Sequence, residues 1–366
     1  MLSNSKLGFG LMRLPKDEHD KIDIKHVEKM VDAFMDKGFT YFDTAYAYAG
    51  SENAIREALV KRYPRDTYTL ADKLPGWKLT CEEDVERIFN ESLEACGVDY
   101  FDFYLIHSIE KKNIDIYKKY HAFDFVKKMK AEGKIKHIGF SFHDSPELLE
   151  SLFVEYPEMD FVQLQLNYLD WENPVIHSRE NYEVARKYNK PIVVMEPVKG
   201  GRLVDIVDNA KQVFTNYDAS KSIASWALRY VSTLEGVMTV LSGMSNTAQM
   251  NDNLNTYSPF VSLNKEEVEM VENVREIILE KPTIPCTACR YCTPGCPMSI
   301  SIPDLFAAYN LQTLYGVSGR YKEYYHKYCD ESNNAASCIG CGQCESVCPQ
   351  HISIIDELKN VSDAFD

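Results

Sequence analysis

The chain has 366 residues, 45% of them hydrophobic, enough for one large globular domain of about 250 residues and a smaller module. A formal net charge of -15, with 55 acidic against 40 basic side chains, argues against general affinity for nucleic acid or anionic membranes and points to small molecules and proteins as partners. No apolar run is long enough to span a bilayer, and the first fifteen residues lack the basic start and apolar core of a secretory signal, so a cytoplasmic location is expected.

Up to about residue 257, short runs rich in aromatic and β-branched residues alternate with longer stretches of helical period, which predicts a parallel sheet with helical crossovers. Eight strands are predicted in chain order: Leu7 to Leu11, Phe39 to Asp43, Tyr68 to Lys73, Phe101 to His107, His137 to Ser141, Phe161 to Gln165, Pro191 to Met195 and Val237 to Leu241. Between the first two, Ile24, Val27, Met30, Val31, Phe34 and Met35 recur at helical spacing, and Gly38 stands where a helix stop belongs. A βα unit repeated eight times suggests a closed barrel. An open doubly wound sheet is the competing architecture, but Arg13 stands where its dinucleotide fingerprint needs a third glycine after Gly8 and Gly10.

Beyond the last strand a helix is predicted near Asn246 to Asn255. Another follows over Lys265 to Glu280, with Val268, Val271, Val274, Ile277 and Ile278 as its apolar stripe. The expected fold is α/β, a TIM (β/α)8 barrel over residues 1–262, joined by a linking helix over 263–281 to a small all-α ferredoxin-like iron-sulfur domain over 282–366.

Eight of the eleven cysteines crowd into two runs, unlike the dispersed pairing of a disulfide framework, and read as metal ligands in a reducing compartment. Cys286, Cys289, Cys292 and Cys296 follow the C-x2-C-x2-C-x3-C-P spacing, as do Cys338, Cys341, Cys344 and Cys348, with Pro297 and Pro349 ending the runs. Three thiolates so spaced fold round one 4Fe-4S cube while the fourth points to the neighbouring one. One cluster therefore takes Cys286, Cys289, Cys292 and Cys348, and the other Cys338, Cys341, Cys344 and Cys296. A pair of structural zinc sites is the alternative, but zinc gathers two CxxC pairs from separate knuckles. The spacer from Pro297 to Ser337 holds two predicted helices, Pro303 to Leu314 and Ser318 to Tyr328, and resembles the α-helical ferredoxin modules of multi-subunit oxidoreductases. Cys81, Cys96 and Cys329 lie outside the runs and receive no chemistry.

Polar residues at strand ends go beyond what a packed barrel needs, and strand C-termini are where barrel active sites form. Asp43-Thr-Ala-Tyr-Ala-Tyr48 after the second strand, Lys73 ending the third and Leu105-Ile-His107 ending the fourth resemble the aldo-keto reductase family, over the whole barrel. That resemblance implies an NAD(P)H-dependent oxidoreductase acting on a small-molecule carbonyl or alcohol. A carbonyl that receives hydride must also receive a proton, and tyrosine, with an ordinary pKa near 10, is a poor acid at neutral pH. In the implied set Tyr48 is the proton donor, Lys73 stabilises its tyrosinate and lowers its pKa, Asp43 holds the ammonium and His107 orients the carbonyl.

The resemblance also assigns Ser141 and Gln163 to the nicotinamide carboxamide. The asparagine usual after the serine is Phe142 here, and the position that stacks on the ring falls on Met195. Lys199-Gly200-Gly201 lets backbone approach a pyrophosphate, and Gly243, Gln249 and Asn253 follow the last strand, where the next helix presents its N-terminus to the adenosine side. From Ser242 to Asn253 there is no basic residue, so the NADPH preference of typical relatives does not carry over. Trp77, Phe142 and Trp171 offer apolar walls to a substrate pocket or serve as ordinary packing.

Hydride transfer moves two electrons at once, whereas each cluster takes one. Three readings follow. The clusters pass electrons between the barrel and a ferredoxin or other redox protein, with a flavin or successive steps as converter; or they are structural or oxygen-sensing beside an ordinary reductase; or the chain is an electron-transfer protein with a non-catalytic barrel.

Overall fold

Eight parallel strands close into a barrel in sequence order in the computed structural model, which describes residues 6–286, 288–348 and 350–366. They are β1 (Leu7–Gly10), β2 (Tyr41–Asp43), β3 (Thr69–Pro75), β4 (Phe101–Ile109), β5 (Ile135–Phe142), β6 (Phe161–Gln165), β7 (Ile192–Met195) and β8 (Val237–Ser242). The barrel and its helices form one unit, Met1–Glu272, and the cysteine-rich segment belongs to a second, Asn273–Asp366.

The helices of the first unit are α1 (Ile24–Asp36), α2 (Ser51–Ile55), α3 (Glu83–Cys96), α4 (Ile114–Lys119), α5 (Ala122–Ala131), α6 (Pro146–Glu155), α7 (Ser178–Lys187), α8 (Asp208–Tyr217), α9 (Ile223–Thr233) and α10 (Thr247–Tyr257). The division between the units falls within α11 (Lys265–Leu279). Helix α1 illustrates how sequence sets these elements. Asp23 caps it by accepting the His26 N–H at 3.1 Å, Val27, Met30, Val31 and Phe34 bury one face, and Gly38 at φ 82° turns the chain out of it.

The barrel interior is packed rather than hollow. Tyr41, Ala71, Phe103, Leu105, Phe161, Val193 and Leu241, contributed by six strands, form one buried cluster. Gly139 on β5 completes it by absence: a β-carbon there would stand 2.6 Å from the Phe161 ring and backbone oxygen, so only glycine leaves room for that ring. All eight predicted strands are present, in the predicted order. Strand β5 begins earlier than predicted, at Ile135, because exposed Lys136, drawn to Asp102 on β4 at 2.8 Å, interrupts the apolar pattern without ending the ladder.

The second unit contains α12 (Ile302–Tyr315), α13 (Gly319–His326), α14 (Gln343–Ser346) and α15 (Ile354–Phe365). Helices α12 and α13 match the two predicted in the spacer. Tyr325 of α13 stacks on Phe365 of α15 at 4.7 Å, and its hydroxyl donates to Asp366 at 3.0 Å, tying the last helix to the spacer. No helix among the described residues is long and apolar enough to cross a membrane.

Candidate active site and cluster sites

The C-terminal ends of the strands open into a cavity of about 840 Å³. At its inner end stand Asp43, Tyr48, His107, Ser141, Gln163 and Met195, so the structure gathers six predicted residues from five separate segments. Lys73 lies just behind them, fully buried, with its ammonium 2.6 Å from Asp43 Oδ1 and 2.7 Å from the Thr44 carbonyl oxygen. The same ammonium sits 4.8 Å from the centre of the Tyr48 ring, and the Tyr48 and His107 rings meet edge to face at 5.9 Å.

Burial works against the Lys73 ammonium, but Asp43, Tyr48 and Asp72 more than offset it and raise its pKa, so the lysine stays charged. At Asp43 burial pushes the carboxyl up and Lys73 pulls it down; the lysine, held by two oxygens, fixes the pair as ionic. Tyr48 corrects the sequence-based expectation. Burial raises its pKa above the ordinary value, and the opposing pull of Lys73 is smaller, so the hydroxyl rests protonated.

His107 is aimed by its strand. Between Ile106 and Ile109 the pairing of β4 with β5 shifts register, and Ser108 takes a left-handed conformation at φ 55°. The Ser108 N–H donates to Ser141 Oγ at 2.6 Å, and buried Tyr117 donates its hydroxyl to the His107 carbonyl oxygen, so both sides of the bulge are tied down. Burial first, then the charge of Lys73 and the proximity of His143, hold the His107 pKa well below the ordinary imidazole value, and its Nδ1 is buried without a hydrogen-bond partner.

This depression has a measurable consequence. Below about pH 6.5 the unfolded chain binds a proton at this ring that the folded barrel refuses, so stability present at neutral pH is lost on acidification. We expect the barrel to lose stability as pH falls through about 6.5, and His107→Gln to flatten the dependence by up to one proton, ~1.4 kcal/mol per pH unit. Denaturant midpoints at several pH values, read by tryptophan fluorescence, check this, because Trp77, Trp171 and Trp226 all belong to the first unit.

The remaining predicted cofactor residues separate into two groups. Gly200 and Gly201, at φ 65° and 98°, line the cavity, as do Gly243, Gln249 and Asn253. Lys199 does not: its ammonium is held by buried Asp170 at 2.5 and 2.7 Å, so it pins the turn rather than facing a ligand. Of the three aromatic walls proposed from sequence, Trp77 stands 5.1 Å from the His107 ring, whereas Phe142 packs near Phe140 and Trp171 against Tyr182 and Tyr230.

Sequence reasoning missed His143, Arg13, Glu196, Ser222 and Asp252, which also line the cavity. His143 was within reach, because it follows directly on the last residue of β5, at the strand end where barrel active sites form.

Whether these residues suit a nicotinamide is answered by Gln163. Its Oε1 is buried with no hydrogen-bond partner, while its Nε2 lies 3.4 Å from Met195 Sδ, leaving an acceptor at the inner end of the cavity for an amide N–H.

In the second unit the cysteines converge as crossed sets. One hollow is lined by Cys286, Cys289, Cys292 and Cys348, and another by Cys338, Cys341, Cys344 and Cys296. Both runs bend alike: Ala288 and Arg290 flank Cys289 at φ 54° and 63°, and Gly340 and Gly342 flank Cys341 at φ 67° and 74°. Two left-handed residues round the middle cysteine curl three thiols toward one point, which glycine adopts freely and Arg290 adopts while gripping Asp304 through two hydrogen bonds of 2.8 Å. Four converging thiols suit a 4Fe-4S cube. Pro349 lies outside the described residues.

Comparison with known proteins agrees with this geometry. Residues 6–276 match the aldo/keto reductase family. The chain belongs to that family. Residues 285–353 match a 4Fe-4S dicluster domain, so this aldo/keto reductase barrel is followed by an iron-sulfur module. The chain is 26% identical over 249 residues to the 9,11-endoperoxide prostaglandin H2 reductase of Trypanosoma cruzi, covering 66% of this chain and 80% of that one. To an aldo-keto reductase of Mycobacterium avium it is 25% identical over 272 residues, 74% and 86% of the two chains. An aldo/keto reductase from Klebsiella pneumoniae, solved in complex with NADP and acetate, superposes with a TM-score of 0.61 at 20% identity over 74% of this chain and 91% of that one, which establishes the shared fold.

Proposed function

We propose that the barrel transfers hydride between a nicotinamide dinucleotide and a small carbonyl compound or alcohol, with Tyr48 as the proton donor in reduction. The observation that carries this reading is the meeting of Tyr48, His107 and the Lys73–Asp43 ion pair at the inner end of one cavity. The complex of the Klebsiella pneumoniae relative with NADP supports the choice of cofactor.

A bound dihydronicotinamide supplies the hydride, two electrons and one proton, to the carbonyl carbon. The second proton leaves the Tyr48 hydroxyl for the carbonyl oxygen. Lys73 carries the charge that makes the resulting tyrosinate tolerable, and Asp43 fixes that charge in place. His107, neutral and bearing its proton on Nε2, donates a hydrogen bond to the same oxygen and orients it. Ser141 and Gln163 hold the carboxamide. The Gly200–Gly201 turn, Gly243, Gln249 and Asn253 form the wall along the rest of the dinucleotide.

A second reading concerns the clusters, which we assign to electron exchange with an external redox protein such as a ferredoxin. Cys289 and Cys341 are exposed, so each four-cysteine set reaches the surface, where one-electron exchange with a partner is favoured. The two clusters, at one electron each, would together hold the two electrons of one hydride, with its proton released to solvent and a converter such as a flavin splitting the pair into single-electron steps. Anaerobic mixing with NADH or NADPH tests both parts. Rapid bleaching of the clusters' visible absorbance is expected. Carbonyl-dependent turnover with unbleached clusters would assign them a structural or oxygen-sensing role, and neither bleaching nor turnover would remove the catalytic reading of the barrel.

A further inference from the structure

A second group of ionisable side chains lies on the outer side of the barrel wall. Strand alternation turns Ala71, Phe103 and Leu105 into the barrel interior, so Asp72 on β3 and Tyr104 on β4 face outward, and the register of the two strands sets them side by side. Helix α3 covers this face, with Phe89 edge to face against the Tyr104 ring at 5.0 Å. Cys96, the last residue of α3, is fully buried and donates its thiol to Asp72 Oδ2 at 3.6 Å. Half-buried Glu52 of α2 completes the group: one ligand atom from each of Glu52, Asp72 and Cys96 lies within 4.8 Å of the other two. Among the described residues no lysine or arginine forms an ion pair with Glu52 or Asp72, and the Lys73 ammonium is held by Asp43 and Thr44. The Tyr104 hydroxyl is buried without a hydrogen-bond partner. Burial first, then the charges of Asp72, Glu52 and Cys96, push its pKa well above the ordinary value, which places it against the same group.

Two carboxyls and a thiol, brought together from three separate elements, are a donor set for a borderline divalent cation. The spacing agrees. With sulfur about 2.3 Å and oxygen about 2.1 Å from one zinc ion, the tetrahedral angle sets the two ligand atoms ~3.6 Å apart. Cys96 Sγ and Asp72 Oδ2 stand at 3.6 Å. We propose that Glu52, Asp72 and Cys96 form a zinc site on the outer wall of the barrel, with water in the fourth position as hydrogen-bond partner of Tyr104. The metal enters as the dication, and the thiol proton, with any proton held by the two carboxyls, passes to solvent. Such a site would brace two parts of the catalytic group without touching either. Glu52 lies four residues after Tyr48, whose carbonyl oxygen accepts the Ser51 N–H at 2.9 Å, and Asp72 directly precedes Lys73. The proposal stands independently of the nicotinamide reading.

Addition of zinc to the full chain with both clusters loaded, followed by dialysis without oxygen, tests it. About one zinc ion per chain should remain, and X-ray absorption at the zinc edge, which does not overlap that of iron, should show one sulfur at about 2.3 Å among oxygen neighbours. Cys96→Ser should remove that sulfur. Glu52→Gln, at a half-buried position where the fold tolerates the change, should weaken zinc binding by roughly tenfold or more. Iron content should stay unchanged in both variants, because neither residue belongs to the cysteine-rich unit. Zinc should also raise the thermal midpoint read by tryptophan fluorescence in the unaltered protein and fail to do so in Cys96→Ser. No retained zinc would overturn the proposal, as would zinc with four sulfur neighbours, zinc with none, or an unchanged affinity in Glu52→Gln. The two carboxyls would then share a proton, with the thiol as packing.

Discussion

Tyr48→Phe should lower kcat for carbonyl reduction by about 10²- to 10⁴-fold, the range set by loss of a positioned proton donor. Affinity for the dinucleotide should stay essentially unchanged, because phenylalanine keeps the ring against His107 and under the Lys73 ammonium and gives up only the hydroxyl. The effect should therefore fall on kcat and kcat/KM together, the signature of an interaction made in the transition state. Lys73→Met is a poorer probe: it leaves Asp43 as a buried charge without its counter-ion, at a cost of roughly 3–5 kcal/mol to the fold, so lost activity and lost structure would arrive together. Single-turnover kinetics, compared with tryptophan fluorescence of the folded state, separates the two in Tyr48→Phe.

Loss of one cluster cysteine should empty a site that draws ligands from both runs. Cys296 shares its hollow with Cys338, Cys341 and Cys344, and Cys348 shares the other with Cys286, Cys289 and Cys292. Cys296→Ser and Cys338→Ser should consequently perturb the same cluster and give matching electron paramagnetic resonance spectra on reduction. Cys348→Ser should match Cys286→Ser. In each case iron should fall toward about half of the roughly eight atoms that two cubes hold. Sets confined to one run would instead pair Cys296→Ser with Cys286→Ser. Because a metal-bound module folds around its ligands, the altered unit should also lose thermal stability.

Much of this was legible in sequence because it rests on local signals. Short runs rich in aromatic and β-branched residues marked all eight strands, helical spacing marked α1, and the cysteine spacing with its two prolines marked the crossed ligand sets. Where the reading fell short, the cause is contact between distant segments. The ion pair that turns Lys199 from the cavity joins it to Asp170, 29 residues away, and nothing in the Lys-Gly-Gly triplet announces it. The Tyr48 hydroxyl was expected below its ordinary pKa, because the lysine is visible in sequence and the burial that outweighs it is not.

The central claim is that this barrel moves hydride between a nicotinamide and a carbonyl carbon. Turnover of an aldehyde panel by the oxygen-free full chain with NADH deuterated at the transferable position of C4 tests it most directly. The account predicts deuterium on the carbinol carbon of the product in proportion to the NADH consumed, and its loss in Tyr48→Phe. Oxidation of NADH that reduces the clusters while no product carries deuterium would contradict it.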